Sequence, residues 1–369
     1  MKAHWFDTRA VSAAPLVFSL AVSLTFNLTL ALFLSCGEGV AGCPALAGSR
    51  VQILAPLDTR PLLAAASAPA VPRAAAAPPA TAAATGIERG AALKAVATRY
   101  ERRYAWGFFA GLSGLLLLAS FAAAAALAWV APRTGRLRGG GRVLLVLLPA
   151  AAVALALWLQ PGRHLYIIHP FLLGTIAADR ELGMPAVPQV MNGLNALSTG
   201  SALAFALACW LLIQHPPAPR GPATPAEELE ARLDEMKTTA TYLRVILFVA
   251  TASLVVGVLR LNATLSWMQA FLAPGDAANA DGLRTTITTM IGAYYSLMLA
   301  SLYLPAALIV RERARAAVAA APVADAVKAQ AYARPELSLA LPNVLSRVAV
   351  LLGPLLAGPI GEFLKNAAS

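Results

Sequence analysis

Four side chains between residues 164 and 181 are of types that do chemistry: His164, His169, Asp179 and Glu181. Imidazole and carboxylate groups bind zinc and transfer protons as general acids and bases. The His-x4-His spacing matches no established zinc motif, however, and polar groups at a membrane surface are usually solvated. We therefore predict no catalytic residue, no metal site and no cofactor. An enzyme acting at the outer membrane interface through these residues is kept as a third hypothesis.

The rest of the sequence carries none of the local motifs that mark common enzymes. It has no Walker loop, HExxH, CxxC or nucleophile elbow. No Asp or Glu lies in the middle of any of the six apolar segments described below. Proton- and ion-coupled carriers usually need such an acid, because it supplies the exchangeable charge within the membrane. These features disfavour a coupled transporter.

Cys36 and Cys43 bracket a Gly-rich hexapeptide directly after the first apolar segment. If this region faces an oxidising compartment, a disulfide that closes the small loop is sterically possible. Two unpaired thiols, or a lipid anchor at Cys36, are the alternatives. Cys209 is expected to be a small packing residue.

The fourth apolar segment has the clearest helical pattern. Small residues recur at every fourth position and are flanked by two further polar residues: Asn192, Ala196, Gly200, Ala204 and Ala208, with Asn195 and Thr199. Such a ridge indicates close contact with another helix, across which the amides form hydrogen bonds. The alternative is that its polar outer half lines an aqueous or ligand-binding cavity.

The fifth and sixth apolar segments carry similar stripes, which we expect to face each other in an antiparallel pair. The first stripe is Ala250, Ser253, Gly257, Arg260 and Thr264, and the second includes Thr289, Gly292 and Ser296. The candidate polar or packing face of the bundle is therefore Asn192, Asn195, Thr199, Ser253, Gly257, Arg260, Thr289, Gly292 and Ser296. A channel wall built from these Thr, Ser and Asn side chains is the functional alternative.

The composition is that of a membrane protein. Hydrophobic residues make up 59% and charged residues 13% of the 369 residues, against about 45–50% and about 25% in soluble domains. The net charge of +11 does not indicate nucleic-acid binding, because the basic residues cluster at the ends of apolar segments, as the positive-inside rule predicts. We expect the lipid bilayer, and no nucleic acid, as a partner.

Six apolar segments are predicted to cross the membrane: 11–35, 105–130, 143–159, 190–213, 245–259 and 286–310. Two others contain proline, 165–178 and 344–364, and are expected to be re-entrant or to lie at the membrane surface.

The segment from Thr224 to Arg260 is predicted to be one long helix. It opens with the capping-box sequence Thr-Pro-Ala-Glu, in which proline occupies N1. No helix breaker separates the acidic stretch that follows from the fifth span. A helix of about 55 Å would thus begin in water and end in the membrane. Its acidic part is expected to lie near the arginines that follow span six, Arg311, Arg313 and Arg315.

Five regions follow from this division: a signal-anchor span at 1–36, an Ala/Pro-rich outer linker at 37–86, a helical extension with spans two to four at 87–213, the capped helix with spans five and six at 214–320, and an Ala-rich tail with a membrane-associated segment at 321–369. The arginines in loop 133–142 and at 311–315 predict that both termini are cytoplasmic. The basic residues at 94–103 conflict with this rule, since they lie outside, directly before span two.

The sequence therefore predicts an all-α, polytopic transmembrane bundle of about six spans, with helices that extend beyond the bilayer, in a bacterial inner membrane. The first functional hypothesis is a non-enzymatic membrane scaffold, assembly or signalling component. Its partners would be other membrane proteins or further copies of itself. The alternative is an oligomeric channel or facilitator lined by spans four to six.

Overall fold

The computed structural model describes residues 79–130, 143, 147–155, 187–214, 224–271, 274–333 and 349–357. Within these ranges every regular element is an α-helix, and no strand occurs. The long helices are α1 (Pro79–Val130), α2 (Val187–Gln214), α3 (Pro225–Gln269) and α4 (Pro274–Ala320), followed by the short α5 (Asp325–Tyr332). Residues 147–155 and 349–357 are also helical.

Four of these helices are long and apolar enough to cross a membrane, as in an integral membrane protein. The stretches are Leu93–Ala123, Gln189–Ile213, Pro225–Gln269 and Ala280–Ala320, which correspond to the predicted spans two, four, five and six. The predicted span one and the segment 165–178 lie outside the described residues. The third is described as a helix only over 147–155, about 14 Å. The all-α architecture is confirmed for the described residues, with four helices that could cross a membrane, and the count of about six spans stays a prediction.

The start of α3 is fixed by the predicted capping box. Thr224 Oγ1 accepts a hydrogen bond from the Glu227 amide at 3.4 Å, and the Glu227 carboxylate accepts one from the Thr224 amide at 3.0 Å. Pro225 occupies N1, where its missing N–H costs nothing. The helix then continues for 45 residues, about 68 Å, or more than twice the ~30 Å hydrocarbon layer.

The first turns of α3 pack against the last turns of α4, so the two helices are antiparallel. Leu229 and Leu233 of α3 form a small apolar cluster with Ala314 and Val318 of α4 and with Ala331 of α5. We call this three-helix unit, residues 225–236, 312–320 and 325–332, the head. The opposite end of the bundle, where α3 ends and α4 begins, is called the far end.

Helix α1 is antiparallel to α3. In the first half of α1, Arg99 Nε donates to the carbonyl oxygen of Ala270 at the end of α3, at 3.2 Å. Further along, Ser120 of α1 lies beside Ser253 of α3, with the hydroxyl oxygens 3.2 Å apart.

Helix α1 is parallel to α2. Gly114 faces Leu194 near the start of α2, and Phe121 faces Gly200 two turns later. Because the two helices are parallel, the end of α1 and the start of α2 lie at opposite ends of the bundle. The helix at 147–155 belongs to the chain segment between them, and its Pro149 also approaches Gly200.

A large apolar cluster fills the space between α2, α3 and α4 toward the head. It includes Phe205 and Ile213 from α2, Leu243 from α3, and Tyr303 and Ala306 from α4. Lipid tails are as apolar as these side chains, so the contact stabilises the bundle mainly through close van der Waals packing.

Candidate functional site

The small-residue ridge of α2 faces its neighbouring helices. Ala196, Ala204 and Ala208 are almost completely buried. At Gly200 an added Cβ would lie 2.8 Å from Phe121 Cζ and 3.0 Å from the Pro149 carbonyl oxygen, so only glycine lets these backbones approach. The polar residues lie at the edge of this contact. Asn192 of the ridge is half-buried, and the flanking Asn195 and Thr199 are exposed.

Asn195 and Arg260 are predicted site residues from different helices that contact each other directly. Arg260 Nη2 of α3 donates to Asn195 Oδ1 of α2 at 3.2 Å. The backbone carbonyl of Asn195 also accepts a hydrogen bond from the Thr199 hydroxyl at 3.1 Å. These contacts form a polar surface at the junction of α2 and α3.

Ser253 contacts α1 rather than α4. Its hydroxyl is 2.9 Å from the carbonyl oxygen of Val249, one turn earlier, and the Ser120 hydroxyl is 2.7 Å from that of Leu116. Each hydroxyl has a single proton, so one serine can donate to its own helix while the other donates across the interface. This is a way to satisfy buried hydroxyl groups in an apolar environment.

Gly292 and Ser296 of α4 hold the helix at 349–357. A Cβ at Gly292 would meet the carbonyl oxygen of Pro354 and lie 3.0 Å from the Cα of Leu355. Ser296 Oγ accepts a hydrogen bond from the Leu355 amide at 3.2 Å.

The opposite side of the 349–357 helix approaches α3. A Cβ at Gly353 would lie 3.0 Å from Thr251 Cγ2. Residues 349–357, the described part of the segment that the sequence placed on or in the membrane surface, thus lie in the seam between α3 and α4.

The predicted stripe of α3 is therefore shared among several neighbours, which differs from the expectation of one contact with α4. Of that stripe, Gly257 does face α4, with its Cβ position 4.0 Å from Tyr295 Cε2. Thr289, the remaining predicted residue of α4, is half-buried. A small-residue stripe indicates that another helix packs closely there, but it does not identify which neighbouring helix that is.

A cluster at the far end was not predicted. Arg102 Nη1 donates to the carbonyl oxygen of Ser266 at 2.7 Å, and the Arg99 guanidinium lies over the Phe271 ring at 4.8 Å. The bonds from Arg99 to Ala270 and from Arg102 to Ser266 supply donors to carbonyl groups at the end of α3, where the last carbonyl groups of a helix lack partners within it.

This far-end cluster gives the basic residues at 94–103 a structural role. Their position conflicted with the positive-inside rule, and two of them are used as donors to a helix end. The cluster is completed by Trp106 and Trp267, whose ring centroids are 5.5 Å apart, and by Arg284, which pairs with Asp281 at 2.8 Å. The available sequence signal was the run of arginines, but only the fold shows that α3 ends beside it.

The head brings the acidic part of α3 and the basic end of α4 together through apolar residues. Two ion pairs there are local, between Arg232 and Glu228 at 2.6 Å and between Arg315 and Glu312 at 3.4 Å. Arg313 donates to the carbonyl oxygen of Ile213, near the end of α2. The expected pairing of the acids of α3 with the arginines of α4 stays a prediction.

The other sequence candidates lie elsewhere. Cys36, Cys43 and the segment with His164 and Glu181 fall outside the described residues, and Cys209 is buried as a free thiol. Among the residues that the structure describes, no three His, Cys, Asp or Glu side chains gather as a metal site would require. Comparisons of the chain with protein-family models, curated proteins and solved structures give no match.

Proposed function

We propose that this chain is a non-enzymatic membrane scaffold, assembly or signalling component. The observation that carries the proposal is the α3–α4 pair, which continues without interruption from the membrane spans into the head. In α3, the 20 residues from Pro225 to Arg244 precede the apolar run, a projection of about 30 Å. A continuous pair of helices can present a surface at a fixed distance from the membrane.

The head has the character of a binding surface. Its apolar residues, such as Leu229 and Val318, are buried, whereas Arg232 and Asp234 are exposed. A partner would therefore be recognised by charge and shape. In the proposed orientation, with both termini in the cytoplasm of a bacterial cell, the head faces the cytoplasm.

The interior of the bundle favours a scaffold over a channel within one copy of the chain. The apolar cluster fills the space between α2, α3 and α4, and hydroxyls such as those of Thr264 and Thr288 donate to carbonyl groups of their own helices. A water-filled path needs polar groups that are open to water. The alternative of an oligomeric channel would place the pore between copies.

Affinity isolation in mild detergent tests the scaffold proposal. Proteins that co-purify with the wild-type chain are quantified and compared with those of Asp234→Lys, an exposed head variant. Glu101→Lys is the matched control, because Glu101 is exposed on α1 near the far end.

The proposal expects at least one protein to be lost from Asp234→Lys and kept by Glu101→Lys, while both variants melt at the wild-type temperature. If every co-purifying protein is retained equally by both variants and by an unrelated membrane protein, the head is not a docking surface and the proposal fails.

A further inference from the structure

Arg260 is a charged side chain in the apolar part of the bundle without a counter-charge among the described residues. Its Nη2 donates to the neutral Asn195 amide. Its Nη1 is buried and has no hydrogen-bond partner in the part of the chain that the structure describes. A buried cation is costly unless an anion compensates it, and ionisable residues within spans commonly mark binding sites.

The donor and acceptor atoms of the Arg260–Asn195 contact determine which ligand groups the site can bind. Because Asn195 uses its Oδ1 atom to accept from Arg260, its amide NH2 group is left to donate. Asn195 is exposed, so these donors are accessible beside the guanidinium group. A ligand that fits both groups has acceptor oxygens and a negative charge.

The depth of the site matches the boundary of the hydrocarbon layer. If that layer begins at Arg244, where the apolar run of α3 starts, its ~30 Å end about 20 residues later, near Thr264. Arg260 then lies about 6 Å inside the boundary, a distance that a snorkelling arginine side chain bridges. Trp267 lies just beyond this boundary, buried against Trp106.

In the proposed membrane placement, the site opens toward lipid. On α2, Asn195 and Thr199 are exposed, and Val190 near the start of the helix is 42% exposed. A surface that combines apolar and polar exposed residues at this depth is reached sideways from the bilayer. The arginines of the far-end cluster, by contrast, already donate to carbonyl oxygens of α3.

We propose that Arg260 and Asn195 bind the phosphate group of an anionic phospholipid at the far end of the bundle. The phosphodiester has only acceptor oxygens, and Arg260 Nη2, which lies beside the exposed Asn195, has a second N–H to donate to one of them. The Asn195 amide donates to a further oxygen. The lipid thereby supplies the counter-charge that Arg260 lacks.

Native mass spectrometry of the purified full chain tests this site with defined lipids. Phosphatidylglycerol is the anionic probe and phosphatidylcholine the zwitterionic reference. Arg260→Gln should weaken phosphatidylglycerol binding about five-fold, the effect expected from one basic residue near the membrane surface, and Asn195→Leu should weaken it less. Arg244→Gln is the matched control at the other end of the same span: it measures the general attraction of a basic residue to anionic lipid, and its effect should be smaller than that of Arg260→Gln.

Two further measurements keep the proposal open to refutation. Phosphatidylglycerol should raise the melting temperature of the wild type but not of Arg260→Gln, and Arg260→Lys, which keeps the charge without the planar fork, should fall between them. Equal phosphatidylglycerol binding by the wild type and Arg260→Gln would overturn the site.

Inorganic phosphate is the competitor that distinguishes the two sources of the anion. If millimolar phosphate displaces the lipid only when Arg260 is present, a free oxyanion and not a lipid is the ligand, and the lipid assignment is overturned. The proposal expects no displacement.

Discussion

Glycines in this bundle differ in what surrounds them. Gly200 and Gly292 lie where two backbones meet, whereas Gly107, Gly111 and Gly193 have open space around their Cβ positions. In a membrane, where the hydrophobic effect gives helices little reason to associate, such close approach is a main source of affinity between helices. The first group should therefore be sensitive to a single added methyl group.

Gly292→Ala is predicted to lower the free energy of unfolding by about 1–3 kcal/mol, the usual cost of overpacking. The new Cβ would meet the Pro354 carbonyl group and displace the helix at 349–357. Gly193→Ala is the control and should leave stability unchanged or slightly raised, because alanine favours the helix. Unfolding in mild detergent measures both, and equal stability of the two variants would contradict the contact.

The Ser120–Ser253 contact predicts an energetic coupling across α1 and α3. In a double-mutant cycle with Ser120→Ala and Ser253→Ala, the coupling should be about 0.6 kcal/mol, the average for hydrogen bonds between membrane helices. The same cycle with Thr199→Ala in place of Ser120→Ala is the control, since Thr199 bonds within its own helix. A coupling of zero for the serine pair would show that the two helices are not in register.

At the scale of elements, the sequence predicted the features that depend on neighbouring residues in the chain. The capping box needs only Thr224 and Glu227, three residues apart, and four of the predicted spans coincide with helices. The partners of each helix were not predictable in this way. Ser253, Arg260 and Gly292 mark close contact, but small and polar residues fit any neighbouring helix, so their assignment to one α3–α4 interface differed from the structure.

The capping box predicts the stability of the head. Thr224→Ala should cost about 1 kcal/mol, because the Glu227 amide at the start of α3 loses its side-chain partner. Thr238→Ala, further along the same helix, is the control and should cost little, because Thr238 is exposed and its hydroxyl bonds only to its own helix. Hydrogen exchange of the first-turn amides is the measurement, and equal protection in both variants would exclude the cap as the stabilising contact.

At the scale of the molecule, helix directions agree with the predicted topology. Spans two, four and six are helices α1, α2 and α4, and span five is α3. Helix α3 runs antiparallel to both α1 and α4, as expected of a chain that crosses the membrane in alternating directions. Because α1 and α2 are parallel, the end of α1 and the start of α2 lie at opposite ends of the bundle; the third span that would join them stays a prediction. The far-end cluster lies at one end of the bundle and the head at the other.

We propose that the chain acts as a scaffold through its apolar bundle and projecting head. Solute flux in liposomes tests this proposal most directly. Purified full-length protein is incorporated at increasing density, and ion and small-solute fluxes are measured with and without a membrane potential. The account predicts fluxes equal to those of protein-free liposomes at every density. A flux that rises with protein density and falls in a Thr199→Leu variant, whose exposed polar side chain on α2 is removed, would contradict it and favour the oligomeric channel.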